Sequence, residues 1–302
     1  MVEVPSSQRD LSVASTLPGA IKNALTIDVE DYFQVSAFAP YISRESWNQR
    51  ECRVERNVDR ILDVLQGQKT LATFFILGWI AERYPNLVRR IAEQGHEIAS
   101  HGYGHQRASD LNRGEFLSDI QMAKLILEDL AGEAVSGYRA PSFSIGANNL
   151  WAFDCLEEAG YRYSSSVYPI KHDHYGMPNA PRFAFAAKPG LIEIPITTVD
   201  LFGKNLPASG GGYFRLFPFS LSRWLLSRVN ERDGRSGIFY FHPWEIDTDQ
   251  PKILGVDAKT RFRHYVNIGK MEAKLQRLLT AFKWGRVDHV FKDDIERGVT
   301  FA

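Results

Sequence analysis

The chain has 302 residues, of which 44% are hydrophobic and 24% charged, a composition that excludes a disordered or fibrous protein. Its 36 basic and 36 acidic side chains cancel, so we expect neither nucleic acid nor an anionic membrane as a general partner. The two cysteines, Cys52 and Cys155, form no Cys-x-x-Cys pair, which excludes a thiolate zinc knuckle and gives no support to a disulfide framework.

Residues 1–20 are predicted to form a mobile N-terminal arm, because they combine serine, proline and mixed charges. They lack the apolar run of a signal peptide. No later stretch of the sequence approaches the roughly 20 apolar residues that span a bilayer. These features predict a cytoplasmic chain without an integral membrane segment.

Strand-like and helical patterns then alternate along the chain. The predicted strands are Ala24–Asp28, Leu71–Ile76, Glu97–Ala99, Val135–Arg139, Tyr161–Tyr163, Leu191–Ile196 and Gly237–Phe241. The predicted helices are Val54–Leu65, Ile80–Gln94 with a break at Pro85, Asn112–Gly132, Asn148–Ala159 and Phe219–Asn230. This alternation predicts an α/β barrel of about seven parallel strands, with an open doubly wound sheet as the alternative.

Three further segments complete the predicted architecture. Residues 171–190 and the glycines at 210–212 are predicted loops, the glycines forming a flexible rim because no phosphate-loop lysine or helix start follows them. Residues 261–282 are predicted to form one long amphipathic helix. The predicted domains are a barrel at residues 21–250 and a C-terminal helical extension at residues 251–302 that packs on it.

A histidine pair follows the third predicted strand, in Ser100-His101-Gly102-Tyr103-Gly104-His105. The glycines allow the backbone to turn tightly enough for both imidazoles to reach one point, which suits a divalent metal. Taken alone, the pair has an ordinary alternative, which is two surface or helix-terminus histidines.

Polar side chains also follow three other predicted strands. An acidic cluster, Asp28-Val29-Glu30-Asp31, ends the first, Arg139 closes the fourth, and His242 follows the seventh. The carboxyl ends of parallel barrel strands share one face, so these side chains are expected to converge there with the histidine pair.

Such a set has a definite chemistry. Two histidines and one carboxylate would hold zinc or a similar ion and leave a position for a water whose pKa the ion lowers. A second carboxylate can act as general base, Arg139 can keep it ionised, and a protonated His242 can stabilise an oxyanion and protonate a leaving amine. The alternatives are a helix cap for each acid, a plain ion pair for Arg139 and a packed loop histidine for His242.

These motifs resemble those of the NodB-type polysaccharide deacetylases, carbohydrate esterase family 4. The chain is more closely similar to the branch associated with exosortase (PEP-CTERM) exopolysaccharide loci, which has an extra C-terminal segment. The resemblance covers about residues 25–290. It rests on Thr26-Ile-Asp28, the 100–105 segment, Arg139-Ala-Pro141, Phe241-His242-Pro243 and the tail motif Arg261-Phe-Arg-His-Tyr265.

The resemblance implies a distorted (β/α) barrel, a divalent metal, most commonly Zn²⁺, and removal of N-acetyl groups from amino sugars. The implied substrate is an N-acetylated polysaccharide or oligosaccharide, here a bacterial exopolysaccharide or its precursor. By position, Asp28 would be the base, Arg139 its partner, His242 the acid, and His101 and His105 metal ligands. Three further residues are predicted to contact substrate: Tyr103, Pro141 and Trp244.

The sequence departs from the family pattern at two places. Val29 stands where most members have a second aspartate, so Glu30 is the predicted third metal ligand, with Asp31 as the alternative. Ser164-Ser165-Ser166 stands where many relatives have an aspartate that orients the catalytic histidine. The orienting residue for His242 is therefore unassigned at this level.

Other functions stay open on sequence alone. A related amidohydrolase acting on a small cyclic amide or ureide would have a deep, closed pocket. A catalytically silent carbohydrate-binding protein of the same fold need not hold a stoichiometric ion. A glycosidase with two carboxylates, one of them Asp28, leaves the histidines unexplained.

Overall fold

The computed structural model describes residues 21–172 and 175–300. The predicted N-terminal arm at residues 1–20 lies outside the described residues, as do residues 173, 174, 301 and 302. Within the described ranges, no helix is both long enough and apolar enough to cross a bilayer.

A curled, mainly parallel sheet forms the centre of the chain. In chain order the strands are β1 (Lys22–Val29), β2 (Thr73–Ile76), β3 (Glu97–Ser100), β4 (Gly137–Tyr138), β5 (Tyr163–Ser164), β6 (Phe185–Lys188), β7 (Leu191–Glu193), β8 (Thr198–Leu201), β9 (Lys204–Pro207), β10 (Ile238–Phe241) and β11 (Lys283–Gly285). The main sheet has the order β10-β1-β2-β3-β4-β5-β7-β6, and β11 pairs with the beginning of β1. Only β6 runs antiparallel within it, and β8 and β9 form a separate hairpin.

The helices lie between these strands and after them. They are α1 (Val54–Gly67), α2 (Gly78–Arg83), α3 (Pro85–Glu93), α4 (Arg113–Ala131), α5 (Trp151–Glu158), α6 (Gly211–Leu216), α7 (Phe219–Glu231), α8 (Ala258–Tyr265), α9 (Ile268–Ala281), α10 (Val287–Val290) and α11 (Lys292–Thr300). Local sequence explains several boundaries. Pro85 begins α3, Asn112 and Glu115 form a capping box before α4, and Gly132 ends α4 in the left-handed conformation at φ 70°.

The parallel part of the sheet comprises the seven predicted strands and β11, which was not predicted, and this arrangement confirms the predicted α/β barrel class. One buried cluster joins side chains from strands that are far apart in the order of the sheet: Ala24, Phe75, Ala99, Tyr163, Ile192, Ile238 and Tyr240. A single cluster that includes residues of β7 and β10 requires the sheet to curl. Between these strands the backbone N–H of Ile238 donates to Thr197 Oγ1 at 2.6 Å, so a side chain bridges the gap. The barrel is therefore distorted rather than regularly closed.

Two predicted loops were partly wrong. Residues 171–190 include β6, which pairs with β7 across Pro189-Gly190, and Gly190 has the positive φ of 82° that this turn needs. The glycine run does not form a flexible rim, because α6 begins at Gly211. A Cβ at Gly211 would overlap the carboxylate of Glu245, so this glycine allows a close approach between α6 and the segment after β10.

The predicted long helix over residues 261–282 was also wrong, because two helices occupy this region. α8 ends at Tyr265, Asn267 adopts a left-handed φ of 52°, and α9 begins at Ile268. The guanidinium of Arg215 donates to the carbonyl oxygens of Arg263, His264 and Val266. This distant arginine satisfies the last carbonyls of α8, where a continuous helix would use its own N–H groups.

Candidate active site

Arg139 and Asp28 form a buried ion pair at the carboxyl end of the sheet. Asp28 lies near the end of β1, and Arg139 follows β4. Arg139 Nη1 donates to Asp28 Oδ1 at 2.6 Å and to Thr26 Oγ1 at 2.7 Å. Its Nε and Nη2 donate to the carbonyl and hydroxyl oxygens of Ser165, and the guanidinium lies 4.1 Å from the centre of the Phe75 ring. Arg139 thus fixes one oxygen of Asp28.

Glu30, His101 and His105 come together as a possible metal site, with one ligand atom from each lying within 4.8 Å of the others. His105 Nε2 is 2.6 Å from Glu30 Oε2. His101 Nδ1 lies 2.8 Å from the carbonyl oxygen of Arg139. A carbonyl only accepts, so Nδ1 carries the proton and Nε2 keeps a free lone pair. Burial lowers the pKa of His101 to about 4, which keeps the ring neutral, as a metal ligand must be.

The loop between the two histidines is held by a residue that no sequence motif marked. Asp119 of α4 accepts the backbone N–H groups of Tyr103 at 2.8 Å and Gly104 at 3.2 Å. Gly102 has a φ of 75°, and a Cβ there would overlap the Asp119 carboxylate. Asp119 therefore links the histidine loop to the helix that follows it. This contact could not be predicted from the sequence, because it depends on how α4 packs against the loop.

Asp31 and Glu30 occupy different surroundings. Asp31 accepts three backbone N–H groups, from Tyr32, Arg53 and Val54, and so holds the beginning of α1. Glu30 instead points to the histidines, and its Oε1 accepts a hydrogen bond from the Trp244 indole at 3.0 Å. Burial acts to raise the pKa of Glu30, but His105 and His242 hold it well below its usual range. Glu30 is thus the carboxylate in the candidate ligand set.

His242, just after β10, faces this cluster. Its Nε2 is 3.6 Å from Glu30 Oε1 and 3.9 Å from Asp28 Oδ2, while its Nδ1 is 2.8 Å from Glu245 Oε1. Burial opposes a charge on this ring, but Glu30, Glu245 and Asp28 raise the pKa of His242 to about 9. These three carboxylates favour the protonated form of the imidazole. The sequence analysis placed Glu245 in the candidate segment 242–245 and gave it no role, although its position three residues after His242 is that of a capping box.

The three predicted substrate contacts have different surroundings. Trp244 is 5% exposed, with His242 stacked on one face at 5.2 Å and His264 stacked at 4.2 Å. It offers no open face to a sugar and contacts the site through Glu30.

The hydroxyl of Tyr103 donates to Glu82 of α2. Pro141 is buried and begins a short 3₁₀ turn in which Ser142 and Phe143 have positive φ values of 56° and 50°. Such strain is concentrated at functional sites.

Two family models match most of the chain. Residues 48–164 match one described as polysaccharide deacetylase, and residues 165–292 match a domain of unknown function, DUF3473. Peptidoglycan-N-acetylglucosamine deacetylase of Bacillus cereus is 43% identical over 94 residues, which are 31% of this chain and 34% of that protein. Chitooligosaccharide deacetylase of Sinorhizobium fredii is 34% identical over 97 residues, 32% of this chain and 42% of that protein.

The matched stretch thus spans less than half of either relative. A solved structure extends the likeness over most of the chain, for the fold alone. The crystal structure of a polysaccharide deacetylase candidate from Mycobacterium smegmatis superposes with a TM-score of 0.59 at 18% identity and covers 93% of both chains.

Proposed function

We propose that this chain, which carries a NodB-type polysaccharide deacetylase domain of carbohydrate esterase family 4 with an associated DUF3473 domain, is a metal-dependent hydrolase of N-acetyl groups on amino sugars. One observation carries the proposal. A possible ligand set, a carboxylate suited to be a base and a protonated imidazole lie at the same end of one sheet. Metal-dependent amide hydrolysis uses these three components within reach of one carbonyl group.

The side chains present fit a divalent ion. Two imidazoles and one carboxylate form the common three-ligand set of catalytic zinc sites, and we assign Glu30, His101 and His105 to it. A bound ion would lower the pKa of a water and polarise the acetyl carbonyl. Zn²⁺ is the proposed ion, because two nitrogen ligands favour it over Mg²⁺ or Ca²⁺.

Asp28 is the proposed general base. Its Oδ1 is held by Arg139, which leaves Oδ2 to take a proton from the attacking water. Arg139 also pairs with the carboxylate in a buried place where an unpaired charge would be costly. Because Arg139 donates to Ser165 as well, the orientation of the pair is fixed before substrate binds.

His242 is the proposed general acid. Its raised pKa of about 9 keeps it charged at neutral pH, so Nε2 can stabilise the developing oxyanion and then give its proton to the leaving amine. Nε2 lies between the proposed base and the proposed ligand Glu30, at 3.9 Å and 3.6 Å. The proposed base and the proposed acid are thus close enough to act on the same carbonyl group.

The proposed substrate is a polymer or oligomer of N-acetylated amino sugars. The names of the relatives, a peptidoglycan-N-acetylglucosamine deacetylase and a chitooligosaccharide deacetylase, support this class. A bacterial exopolysaccharide or its precursor is the finer proposal, supported by the resemblance of the tail motif Arg261-Phe-Arg-His-Tyr265 to the exosortase-associated branch.

The test measures acetate release after metal removal and metal restoration. We expect no acetate from chelated protein, and release from N-acetylglucosamine oligomers or peptidoglycan when Zn²⁺ or another single divalent ion is returned. His101→Ala should lose both bound metal and activity. His289→Ala, at a histidine that is 61% exposed, is the matched control and should keep both.

Three outcomes contradict the proposal. Absence of acetate release from every acetylated amino-sugar oligomer, with or without a stoichiometric ion, indicates a catalytically silent carbohydrate-binding protein. Turnover of a small cyclic amide or ureide in place of acetate release indicates the other amidohydrolase class. Normal metal binding by His101→Ala removes that histidine from the ligand set.

A further inference from the structure

We infer that Glu245 and Arg215 form a positioning pair that sets the orientation of His242, and that the DUF3473 region thereby completes the deacetylase active site. This inference rests on the proposed function, in which His242 is the general acid. Neither residue needs to touch substrate, so the pair acts through the histidine.

The serines at positions 164–166 are occupied with other partners. The hydroxyl and carbonyl of Ser165 accept hydrogen bonds from Arg139, and Ser166 Oγ accepts the N–H of Ala140 at 2.9 Å. Ser164 Oγ donates to Ser166 Oγ at 2.8 Å. These serines organise the base side of the site, so a group from elsewhere in the chain must orient the acid.

Glu245 is that group. It is fully buried, and its Oε1 lies 2.8 Å from His242 Nδ1 and accepts the backbone N–H of His242 at 3.1 Å. One oxygen therefore binds both the ring and the main chain of the same residue, which limits rotation of the ring. A carboxylate can only accept, so Nδ1 bears a proton and Nε2 is left facing Asp28 and Glu30.

Arg215 holds the other oxygen of Glu245. Its Nε donates to Oε2 at 2.6 Å, and its Nη1 donates to the carbonyl oxygens of His264 at 2.6 Å and Val266 at 2.8 Å. These carbonyls end α8, where unpaired acceptors and the negative end of the helix dipole favour a cation. Arg215 is thus anchored on one side and presents a fixed donor to Glu245 on the other.

Two further features place this pair against His242. Gly211 lies at the beginning of the helix that carries Arg215. Because it has no side chain, the Glu245 carboxylate can occupy the space that a Cβ would fill. The Trp244 ring stacks with both His242 and His264. Because His264 lies in the last turn of α8, the carboxyl end of this helix also limits movement of the His242 ring. Glu245, Arg215 and His264 all lie within residues 165–292, the region matched by DUF3473.

The geometry predicts a specific failure for Glu245→Gln. A carboxylate has two accepting oxygens and serves His242 and Arg215 together. An amide has one oxygen and one NH₂ group, so it can accept from only one of them and presents a donor to the other. Arg215→Met, which removes the anchor and keeps much of the side-chain volume, should act in the same direction.

The first measurement compares two substrates. For an N-acetylated amino-sugar oligomer we expect Glu245→Gln to lower kcat about 10- to 100-fold, with KM and metal content nearly unchanged. For 4-nitrophenyl acetate, whose phenolate leaves without a proton, the loss should be smaller, because this ester needs His242 for oxyanion stabilisation and not for protonation of the leaving group. Glu97→Gln, a buried carboxyl at the opposite end of the barrel, is the matched control and should keep both activities.

The second measurement does not need activity. In ¹⁵N-histidine-labelled protein, the hydrogen-bonded Nδ1–H of His242 should give a downfield proton resonance that is absent in His242→Gln and lost or shifted in Glu245→Gln. Equal kcat of Glu245→Gln and the unchanged chain on the amide, or an equal loss on amide and ester, overturns the inference. If the unchanged chain releases no acetate, the proposed function fails, while the resonance still decides whether Glu245 orients the ring.

Discussion

The two ends of the barrel each contain a buried carboxyl group, and these groups behave in opposite ways. Glu97 begins β3 at the amino end, where Thr73, Tyr163 and the N–H of Asp288 donate to it. Burial, with Asp288 nearby, raises the pKa of Glu97 to about 7. Glu245 lies at the carboxyl end, and although burial acts to raise its pKa, Arg215 and His242 bring it below the usual range.

Burial alone therefore does not decide the charge of a carboxyl group. Hydroxyl and backbone donors satisfy Glu97 without making its charged form favourable, whereas a guanidinium and an imidazolium do so for Glu245. Asp28, like Glu245, is paired with a guanidinium, that of Arg139. The buried pairs Arg139–Asp28 and Arg215–Glu245 both lie at the end of the barrel where chemistry is proposed.

The largest effect is expected at the carboxyl end, from Asp28→Asn. The substitution keeps the shape of the side chain and removes the base, so acetate release should fall about 10³-fold, with bound metal retained. Asp59→Asn, at a surface carboxylate that is 48% exposed, is the matched control and should be unaffected. Loss of metal from Asp28→Asn would reassign Asp28 as a ligand and break the assignment of Glu30.

At the amino end, the effect of Glu97 should appear in stability and its pH dependence. A carboxyl whose folded pKa is near 7 and whose unfolded pKa is near 4.5 binds a proton more tightly when folded. Its contribution to stability is complete below about pH 4.5 and is lost as the pH rises through about 7, a change on the order of 3 kcal/mol.

The measurement is the free energy of unfolding by denaturant at pH values between about 4.5 and 8.5. The unchanged chain should lose stability relative to Glu97→Gln over this range, because the amide keeps hydrogen bonds without a charge. Parallel curves for the two proteins would show that Glu97 is ionised when folded, and the contrast with Glu245 would fail.

A smaller effect is expected from Trp244→Phe. It removes the indole N–H that donates to Glu30 and keeps an aromatic ring between His242 and His264. Loss of a partner that orients a ligand should weaken metal affinity about 10-fold. Metal titration of the chelated protein measures this, with Trp47→Phe as control, since Trp47 is equally buried and contacts Phe33 and Trp79. Equal weakening in both variants would indicate a general loss of packing.

The smallest effect should come from Asn112→Ala at the beginning of α4. The Asn112 side chain accepts the N–H of Glu115 at 3.0 Å, and its loss should cost about 1 kcal/mol of unfolding free energy. Acetate release by the folded protein should not change. A large loss of activity would show that the position of Asp119, further along α4, depends on this cap.

Much of the fold could be predicted because its signals are local. The apolar spacing of α1, the capping box of α4 and the proline at the beginning of α3 act over one or two helical turns. Seven of the eight parallel strands were recognisable as apolar runs, and β11 was not predicted. Strand β6 was missed because its residues are only partly buried and it pairs through the two-residue turn Pro189-Gly190.

The candidate site was predictable to a different degree. The histidine pair, Asp28, Arg139 and His242 follow strands and are visible in sequence, and the structure brings them to one end of the sheet. Whether Glu30 or Asp31 faces the histidines depends on how the chain turns after β1. Asp31 is taken by the N–H groups at the beginning of α1, a contact between residues more than 20 positions apart.

The sequence by itself determined the order of strands and helices and the residue types at the strand ends, because hydrophobic period and caps act between near neighbours. Only the tertiary structure decided which charges meet. Arg215 of α6 donates hydrogen bonds to a carbonyl oxygen at the end of α8 and to Glu245. These contacts form because the curled sheet and the close approach at Gly211 bring three distant segments together. Coulomb and hydrogen-bond energies depend on separations of a few ångströms, and the packing of the whole barrel sets those separations.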